Sequence, residues 1–237
     1  MKKNTKAVIL AGGLGTRLHP FSFTIPKPLM PIGKDTILLH LINRFKKFGV
    51  NNFLISIGYQ AELMKAYIGK GDKFNISVKY FEEEKPLGTA GPIGLMKKEF
   101  SKNEYFFLVN GDIYTEVDFS KMYEFAVRGK YDIVVGHIEK NEKSSYGILD
   151  INQNQIKGII EKPTRTFCIS SGMYVINSNA LNSIPSNQYF TMPDLINSYL
   201  RQKKPVGTIK IDKFWMGIED VESLEEVLER TKKINPI

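Results

Sequence analysis

The sequence predicts a three-layer α/β/α fold built on a mixed, mostly parallel sheet. In the first half of the 237 residues, strand-like apolar runs alternate with helical patterns. That alternation is typical of parallel strands joined by crossover helices and covered on both faces. From about residue 132 onward the apolar segments become shorter and closer together, which indicates a meander rather than crossovers.

Each predicted element follows from a local pattern. Residues 7–11 form a continuous apolar run of the kind found in strands buried on both faces. Asp35 or Thr36 can cap a helix that Gly49 ends. Further helices are predicted at 61–68, after Gly91-Pro92 and at about 221–233, and the last should pack back on the sheet. The remaining predicted strands cover 53–57, 76–81, 105–109, 132–138, 146–151, 155–160 and 169–177.

Length and composition limit the class of protein. We expect one domain spanning residues 1–237, without internal repeats or linkers. No stretch approaches the ~20 apolar residues of a membrane span, and no apolar signal segment precedes the first strand, so a cytoplasmic protein with no membrane partner is expected. The single cysteine, Cys168, is expected to be a small core residue, and zinc is not expected.

The formal net charge of +8 raises the question of nucleic-acid binding. The lysines are scattered, however, and several pairs fall near the ends of predicted helices, where cations favour the helix dipole. No nucleic-acid recognition motif accompanies the charge, so we expect no nucleic-acid partner. The alternative, a nucleic-acid-binding protein, predicts sequence-tolerant binding with a steep salt dependence.

A glycine-rich loop follows the first strand, at the edge of the sheet where α/β proteins bind ligands. Gly12, Gly13 and Gly15 allow the backbone to approach a phosphate closely, and Arg17 and Lys27 add two cations. The spacing excludes a dinucleotide fingerprint, which needs a third glycine at position 18, and a Walker A loop, which needs Gly-Lys-Ser/Thr. The loop is therefore predicted to bind a polyphosphate through a motif that is neither of these two.

The segment 12–33, with Pro26-Lys27-Pro28 at its end, resembles the signature of sugar-1-phosphate nucleotidyltransferases. The resemblance covers the chain and is strongest over 7–33, 84–92 and 108–112. It is closest in pattern to mannose-1-phosphate and heptose-1-phosphate guanylyltransferases. It implies the Rossmann-like fold of nucleotide-diphospho-sugar transferases, with nucleotide bound by about residues 1–112 and sugar phosphate by about residues 113–237. A nucleoside triphosphate and a sugar 1-phosphate are then the partners, and a homo-oligomer is possible.

The same resemblance implies a set of site residues. Catalytic roles fall to Arg17, Lys27 and Asp112. The nucleotide is expected at Leu10, Ala11, Gly12, Gly13, Gly15, Thr16, Glu84, Gly88, Thr89, Asn110 and Gly111. The sugar phosphate is expected at Tyr146, Gly147, Glu161, Lys162, Ser171 and Gly172.

The implied cofactor is Mg²⁺, because Asp112 offers a hard oxygen ligand where the family places a metal-binding aspartate. A second aspartate normally follows a tryptophan two positions later, but Gly217 stands there. Glu219 is the favoured substitute, since Asp220 precedes the last helix and is more simply its N-cap. Two other readings stay open: the metal relies on Asp112, phosphates and water, or catalysis is impaired in a weak regulatory or binding subunit.

The choice of base rests on the acidic run at residues 82–84. A carboxylate there could accept hydrogen bonds from the N1–H and exocyclic amine of guanine together. Residues 84–92 resemble guanylyltransferases for mannose 1-phosphate and heptose 1-phosphate. This resemblance implies GTP with a manno-configured hexose or heptose 1-phosphate, while UTP, CTP and dTTP remain alternatives.

Overall fold

The computed structural model describes residues 4–234. Thirteen strands and six α-helices are present in that range. In chain order they are β1 (Lys6–Ala11), β2 (Pro31–Ile32), β3 (Asp35–Thr36), α1 (Ile37–Lys47), β4 (Asn52–Ile57), α2 (Ala61–Ile68), β5 (Ser77–Glu82), α3 (Gly91–Leu95), β6 (Tyr105–Asn110), β7 (Ile113–Thr115), α4 (Phe119–Gly129), β8 (Ile133–Lys143), β9 (Ile148–Asn152), β10 (Gln155–Ile160), β11 (Thr164–Asn177), α5 (Met192–Arg201), β12 (Gly207–Lys210), β13 (Trp215–Gly217) and α6 (Val221–Ile234).

Seven strands form one sheet in the order β12-β8-β11-β6-β1-β4-β5. Only β11 runs antiparallel to its neighbours, β6 and β8, and all other adjacent strands in this sheet are parallel. The predicted mixed, mostly parallel sheet is therefore confirmed. Strand β1 lies near the centre, with β4 on one side and β6 on the other, which explains why residues 7–9 are fully buried.

Helices cover both faces of this sheet, as the predicted three-layer architecture requires. On one face, Ile9 belongs to an apolar core shared with α1, α2 and α4. On the other face, Val8 belongs to a second core shared with α3 and α5. Helices α4 and α5 are additions to the predicted set. The predicted cap of α1 is confirmed at Thr36, whose Oγ1 accepts a hydrogen bond from the Leu39 backbone N–H at 3.2 Å.

Helix α6 differs from the expectation that it packs on the main sheet. Its Leu224 and Val227 belong instead to a third, smaller core with Leu18, Met30 and Ile218. The reason is the small ribbon formed by β7 and β13, which stands beside the main sheet and offers the apolar surface that α6 covers. The N-cap prediction is confirmed, because Asp220 Oδ1 accepts from the Ser223 backbone N–H at 2.9 Å.

The predicted meander at 146–177 has a different pairing. Strands β9 and β10 pair only with each other. The end of β8 pairs with the start of β11. Since β9 and β10 lie between β8 and β11 in the chain, one hairpin is nested inside another. We call residues 138–169 the arm. None of them is buried. The expectation that Cys168 is a core residue is therefore wrong, since it lies exposed on the arm.

None of the helices between residues 4 and 234 has both the length and the apolar character to cross a bilayer.

Candidate active site at the carboxyl edge of the sheet

A cavity of about 360 Å³ opens where β1 and β6 end. It gathers eleven of the predicted site residues, from the glycine loop, the loop after β5 and the end of β6. Its lining consists of Leu10, Ala11, Gly12, Gly13, Gly15, Lys27, Pro28, Glu83, Pro86, Gly88, Thr89, Asn110, Gly111, Asp112 and Tyr189.

The two strand ends that form the base of this cavity are joined at Gly111. Its backbone N–H donates to the Leu10 carbonyl at 2.8 Å, and a Cβ at this position would lie 2.6 Å from the same oxygen. Such a contact is too short for any side chain, so glycine is required for the close approach. This approach places Asp112, the next residue, beside the glycine loop.

The glycine loop is held by a buried serine. Gly15 has a φ of +63°, a left-handed conformation that glycine adopts readily. Its carbonyl accepts a hydrogen bond from Ser22 Oγ at 2.8 Å, and Ser22 is fully buried. Ser22 Oγ also lies 3.1 Å from His19 Nδ1, and the His19 ring stacks on Phe23. The loop conformation is thus set by contacts within its own segment.

Two ion pairs join the predicted catalytic cations to carboxylates. Lys27 Nζ lies 2.6 Å from Asp112 Oδ2, with 13% and 33% of the two side chains exposed. Arg17 pairs with Glu219, and 70% and 61% of these two side chains are exposed. Both predicted catalytic cations are therefore paired with carboxylates that are expected to bind metal. Arg17 and the predicted Thr16 are exposed and do not line the cavity.

The segment with the missing aspartate lies next to Asp112. Gly217 of β13 is opposite Ile113 of β7, and the Ile218 N–H donates to the Asp112 carbonyl at 2.8 Å. A Cβ at Gly217 would meet only the Trp215 ring, at 3.6 Å, which is an ordinary contact. Within residues 4–234, no three His, Cys, Asp or Glu side chains converge on a metal position.

Glu83, rather than the predicted Glu84, lines the cavity. Its Oε1 accepts from Ser56 Oγ at 2.7 Å, and its Oε2 accepts from the Leu87 backbone N–H at 3.0 Å. A Cβ on Gly12 would lie 2.7 Å from Oε1, so the carboxylate packs directly against the glycine loop. Glu84 is exposed outside the cavity. Glu83 directly follows β5, which ends at Glu82, and its orientation is set by the two hydrogen bonds to Ser56 and Leu87.

Tyr189 also lines the cavity, although no motif in the sequence predicts it. It precedes Phe190, whose carbonyl accepts from the Ala90 and Gly91 N–H groups at 2.9 and 2.8 Å. These bonds tie the 185–190 loop to the segment that follows β5. They leave the Tyr189 ring about two-thirds exposed at the rim.

The residues predicted to bind the sugar phosphate fall into two groups. Gly172 lies beside the cavity, since a Cβ there would be 2.6 Å from Asn110 Nδ2, and Ser171 is buried next to it. The other four, Tyr146, Gly147, Glu161 and Lys162, lie together on the arm, where a Cβ on Gly147 would be 2.9 Å from Glu161 Oε2. They do not line the 360 Å³ cavity.

A larger cavity, of about 1000 Å³, lies between α1, β7 and α6. It is lined by none of the predicted site residues, whereas eleven of them line the smaller cavity, which is therefore the candidate active site. His40 lines the larger one and has a structural role: its Nε2 lies 2.9 Å from the Thr115 carbonyl oxygen. Burial lowers the pKa of His40 below its usual 6.5.

Comparison with known proteins gives three results. The profile of the nucleotidyl transferase family matches residues 6–234. The mannose-1-phosphate guanyltransferases of Kluyveromyces lactis and Saccharomyces cerevisiae are each 32% identical over 226 residues, which are 90% of this chain and 61% of theirs. The chain thus spans about three-fifths of the length of these curated relatives.

Among solved structures, HddC from Yersinia pseudotuberculosis is 28% identical with a TM-score of 0.75, covering 96% of this chain and 100% of that one. A second structure of HddC, complexed with GMP-PN, has a TM-score of 0.74. A Bacillus anthracis protein assigned as a glucose-1-phosphate thymidylyltransferase has a TM-score of 0.79 at 23% identity, covering 98% and 96% of the two chains, which shows a likeness of fold.

Proposed function

Because this chain belongs to the nucleotidyl transferase family, we propose that it joins a nucleoside triphosphate to a sugar 1-phosphate, giving a nucleotide sugar and pyrophosphate. The observation that carries the proposal is the meeting of the glycine loop, Lys27 and Asp112 around one cavity at the carboxyl edge of the sheet. Backbone N–H groups and cations suit a polyphosphate there, and a carboxylate suits its metal ion.

The chemistry needs positioning and charge stabilisation more than proton transfer. The attacking oxygen of a sugar phosphate is already ionised near neutral pH, so no general base is required. The barrier lies in bringing two polyanions together and in stabilising the departing pyrophosphate. Lys27 and Arg17 are the residues suited to hold the phosphates of the nucleotide, and Lys162 is suited to hold the phosphate of the sugar.

The site suits an Mg²⁺ ion that arrives with the triphosphate. Mg²⁺ is usually bound through one or two carboxylates together with substrate phosphates and water. Asp112 supplies one carboxylate and Glu219 a second, which matches this donor set. When bound, the ion neutralises phosphate charge. Asp112 and Glu219 would hold the ion, and Lys27 and Arg17, which pair with these two carboxylates, would bind phosphate oxygens.

Glu83 supports the choice of guanine. Each of its oxygens accepts one hydrogen bond from the protein and keeps the capacity to accept another. The N1–H and exocyclic amine of guanine are two adjacent donors, which neither uracil nor thymine offers together. GTP is therefore the proposed nucleotide, with a manno-configured hexose or heptose 1-phosphate as its partner. The names of the guanyltransferase relatives and the HddC complex with GMP-PN point the same way.

The proposed division of the chain places the nucleotide on about residues 1–112 and the sugar phosphate on about residues 113–237. Glu161 and Lys162 follow one another on the arm, so a carboxylate for sugar hydroxyls and a cation for the phosphate are adjacent. Gly172 beside Asn110 links this half to the nucleotide cavity.

The test is a panel of GTP, UTP, CTP and dTTP with several sugar 1-phosphates, scored by pyrophosphate release. We expect the highest kcat/KM with GTP and a manno-configured substrate. Lys27→Ala should abolish turnover, whereas Lys98→Ala, which removes an exposed lysine outside the site, should leave it unchanged. Nucleotide binding without turnover on any pair would favour the second candidate, a weak regulatory or binding subunit, for which Gly217 is the specific observation.

A further inference from the structure

Ser56 is a polar residue in a strand that is otherwise apolar where it is buried. The end of β4 reads Phe53-Leu54-Ile55-Ser56-Ile57, and all five residues are buried. Ser56 has no exposed surface at all. Burying a hydroxyl costs free energy unless it finds a hydrogen-bond partner, and an alanine at this position would avoid that cost. The identity of the partner should therefore explain the serine.

That partner is Glu83. Ser56 Oγ donates to Glu83 Oε1 at 2.7 Å, and this is the one hydrogen bond that the hydroxyl makes within residues 4–234. Glu83 directly follows the neighbouring strand β5, in which Phe81 is opposite Ser56. On its other side Ser56 is opposite Leu10, which lines the active-site cavity. Ser56 thus fixes the carboxylate to the sheet itself, next to a strand whose end lines the cavity.

Glu83 has a second anchor in the loop after β5. The Leu87 backbone N–H donates to Glu83 Oε2 at 3.0 Å. The two carboxylate oxygens are therefore held separately, one by the sheet and one by the loop. Rotation about the Cγ–Cδ bond of a glutamate is only loosely restricted, so a single anchor would leave the plane of the carboxylate free to turn. Two anchors fix that plane.

The two neighbouring carboxylates have no comparable support. Glu82 is exposed and pairs with Lys65 Nζ at 2.9 Å on the surface. Glu84 is exposed as well. Across the part of the chain that the structure describes, Glu83 is the only member of this acidic run that bonds to a fully buried side chain. Glu83 is therefore the carboxylate whose orientation is set before any ligand arrives.

We propose that Ser56 is a positioning residue for base selection, which acts through Glu83. A base with two adjacent donors, such as guanine, uses both carboxylate oxygens and therefore needs a fixed carboxylate plane. Hypoxanthine, the base of ITP, lacks the exocyclic amine and presents only its N1–H to such an acceptor, so it tolerates a rotated carboxylate. Ser56 thus favours guanine over hypoxanthine. This role rests on the proposed function, in which Glu83 accepts from the base.

The first test compares GTP with ITP in pyrophosphate release with one sugar 1-phosphate. The wild type should prefer GTP. Ser56→Ala should lower the ratio of kcat/KM for GTP over ITP about tenfold, which is the size expected for one hydrogen bond to a charged group. The change should lie in KM for GTP rather than in kcat.

The matched control for this test is Ser198→Ala. Ser198 Oγ donates to the Leu195 carbonyl at 3.0 Å within α5, and Ser198 does not line the active-site cavity. Losing this hydroxyl should leave the ratio unchanged. An unchanged ratio in Ser56→Ala, including equal losses with both nucleotides, overturns the proposal, because a merely structural serine predicts that result.

A double-mutant cycle tests whether Ser56 acts through Glu83. Glu83→Gln should itself lower the ratio of GTP over ITP, because the amide cannot accept from both donors of guanine. Ser56→Ala added to Glu83→Gln should then lower the ratio no further. If the two single effects add, Ser56 acts by another route and the proposal is wrong.

Calorimetric Kd values separate this proposal from the proposed function. The Kd ratio of ITP over GTP needs no turnover, and Ser56→Ala should reduce it by the same factor of about ten. Binding without transfer would refute the proposed function, and the Kd ratio would then decide on Ser56. A wild type that uses GTP and ITP equally well would refute the guanine assignment and the role of Ser56 together. A preference for GTP that survives Ser56→Ala would refute the role of Ser56 alone.

Discussion

Replacing Glu219 by glutamine tests whether its carboxylate is a second protein ligand of the proposed magnesium ion. The substitution would remove the ion pair with Arg17, and it would also remove a metal ligand if Glu219 is one. The two losses differ in size. The pair between Arg17 and Glu219 is open to solvent, with 70% and 61% of the side chains exposed, and such pairs contribute about 0–1 kcal/mol. Losing the pair alone changes nucleotide affinity by at most about fivefold. Losing a group that stabilises the transition state lowers turnover by about a hundredfold.

The assay is a magnesium titration of pyrophosphate release at saturating substrates. Glu219→Gln should raise the Mg²⁺ concentration for half-maximal activity and lower kcat by about a hundredfold, while nucleotide Kd stays within about fivefold of the wild type. Asp220→Asn is the matched control at the next position. Asparagine is still a competent cap for α6, so this variant should change little.

A second substitution tests the same reasoning by rescue. Gly217 is opposite Ile113, next to Asp112, and has room for a side chain against the Trp215 ring. Gly217→Asp in the Glu219→Gln background should therefore recover at least about tenfold of the lost turnover. A silent Glu219→Gln would refute the ligand assignment. If Gly217→Asp alone then raised activity, the weak-subunit candidate would gain.

Four further outcomes are expected. Arg17→Ala and Lys27→Ala should each cost far more in turnover than in nucleotide affinity, because charge accumulates on the leaving pyrophosphate; equal losses in stopped-flow binding and steady-state rates would contradict this role. Lys162→Ala should raise KM for sugar phosphate with nucleotide Kd unchanged, and a parallel loss of both would contradict the two-half assignment. Glu83→Gln should reduce the kcat/KM preference for GTP over UTP by at least about tenfold; an unchanged ratio would exclude Glu83 as the acceptor. Burial lowers the pKa of His40 below 6.5, so its contribution to stability is present above pH 6.5 and is lost as the pH falls through the folded-state pKa. In urea unfolding, His40→Asn should flatten that acid slope, and an unchanged slope would count against it.

The parts of the fold that sequence predicts are those with strong local signals. The buried run at 7–11 is a central strand, and Thr36 and Asp220 are caps. Signals for the two additional helices are present as well. Asp118 precedes apolar residues at helical spacing in α4, and Thr191 forms a capping box at the start of α5.

The features that sequence does not reveal depend on contacts between distant residues. Tyr189 reaches the cavity because the neighbouring backbone bonds to the loop after β5, and no local pattern records that contact. The nested pairing of β8 with β11 joins strands separated by a complete hairpin. Family resemblance brings Glu219 to attention, but its pairing with Arg17 depends on how α6 and β13 pack.

The distance along the chain between Arg17 and Glu219 has a consequence during protein synthesis. The two residues are 202 positions apart, so at ~5–20 residues per second a ribosome needs about 10–40 s to add the second after the first. Throughout that interval the glycine loop exists without the carboxylate that pairs with Arg17. The complete set of two cations and two acids first exists when translation has passed Glu219, so a chain that stops earlier leaves Arg17 without its carboxylate partner.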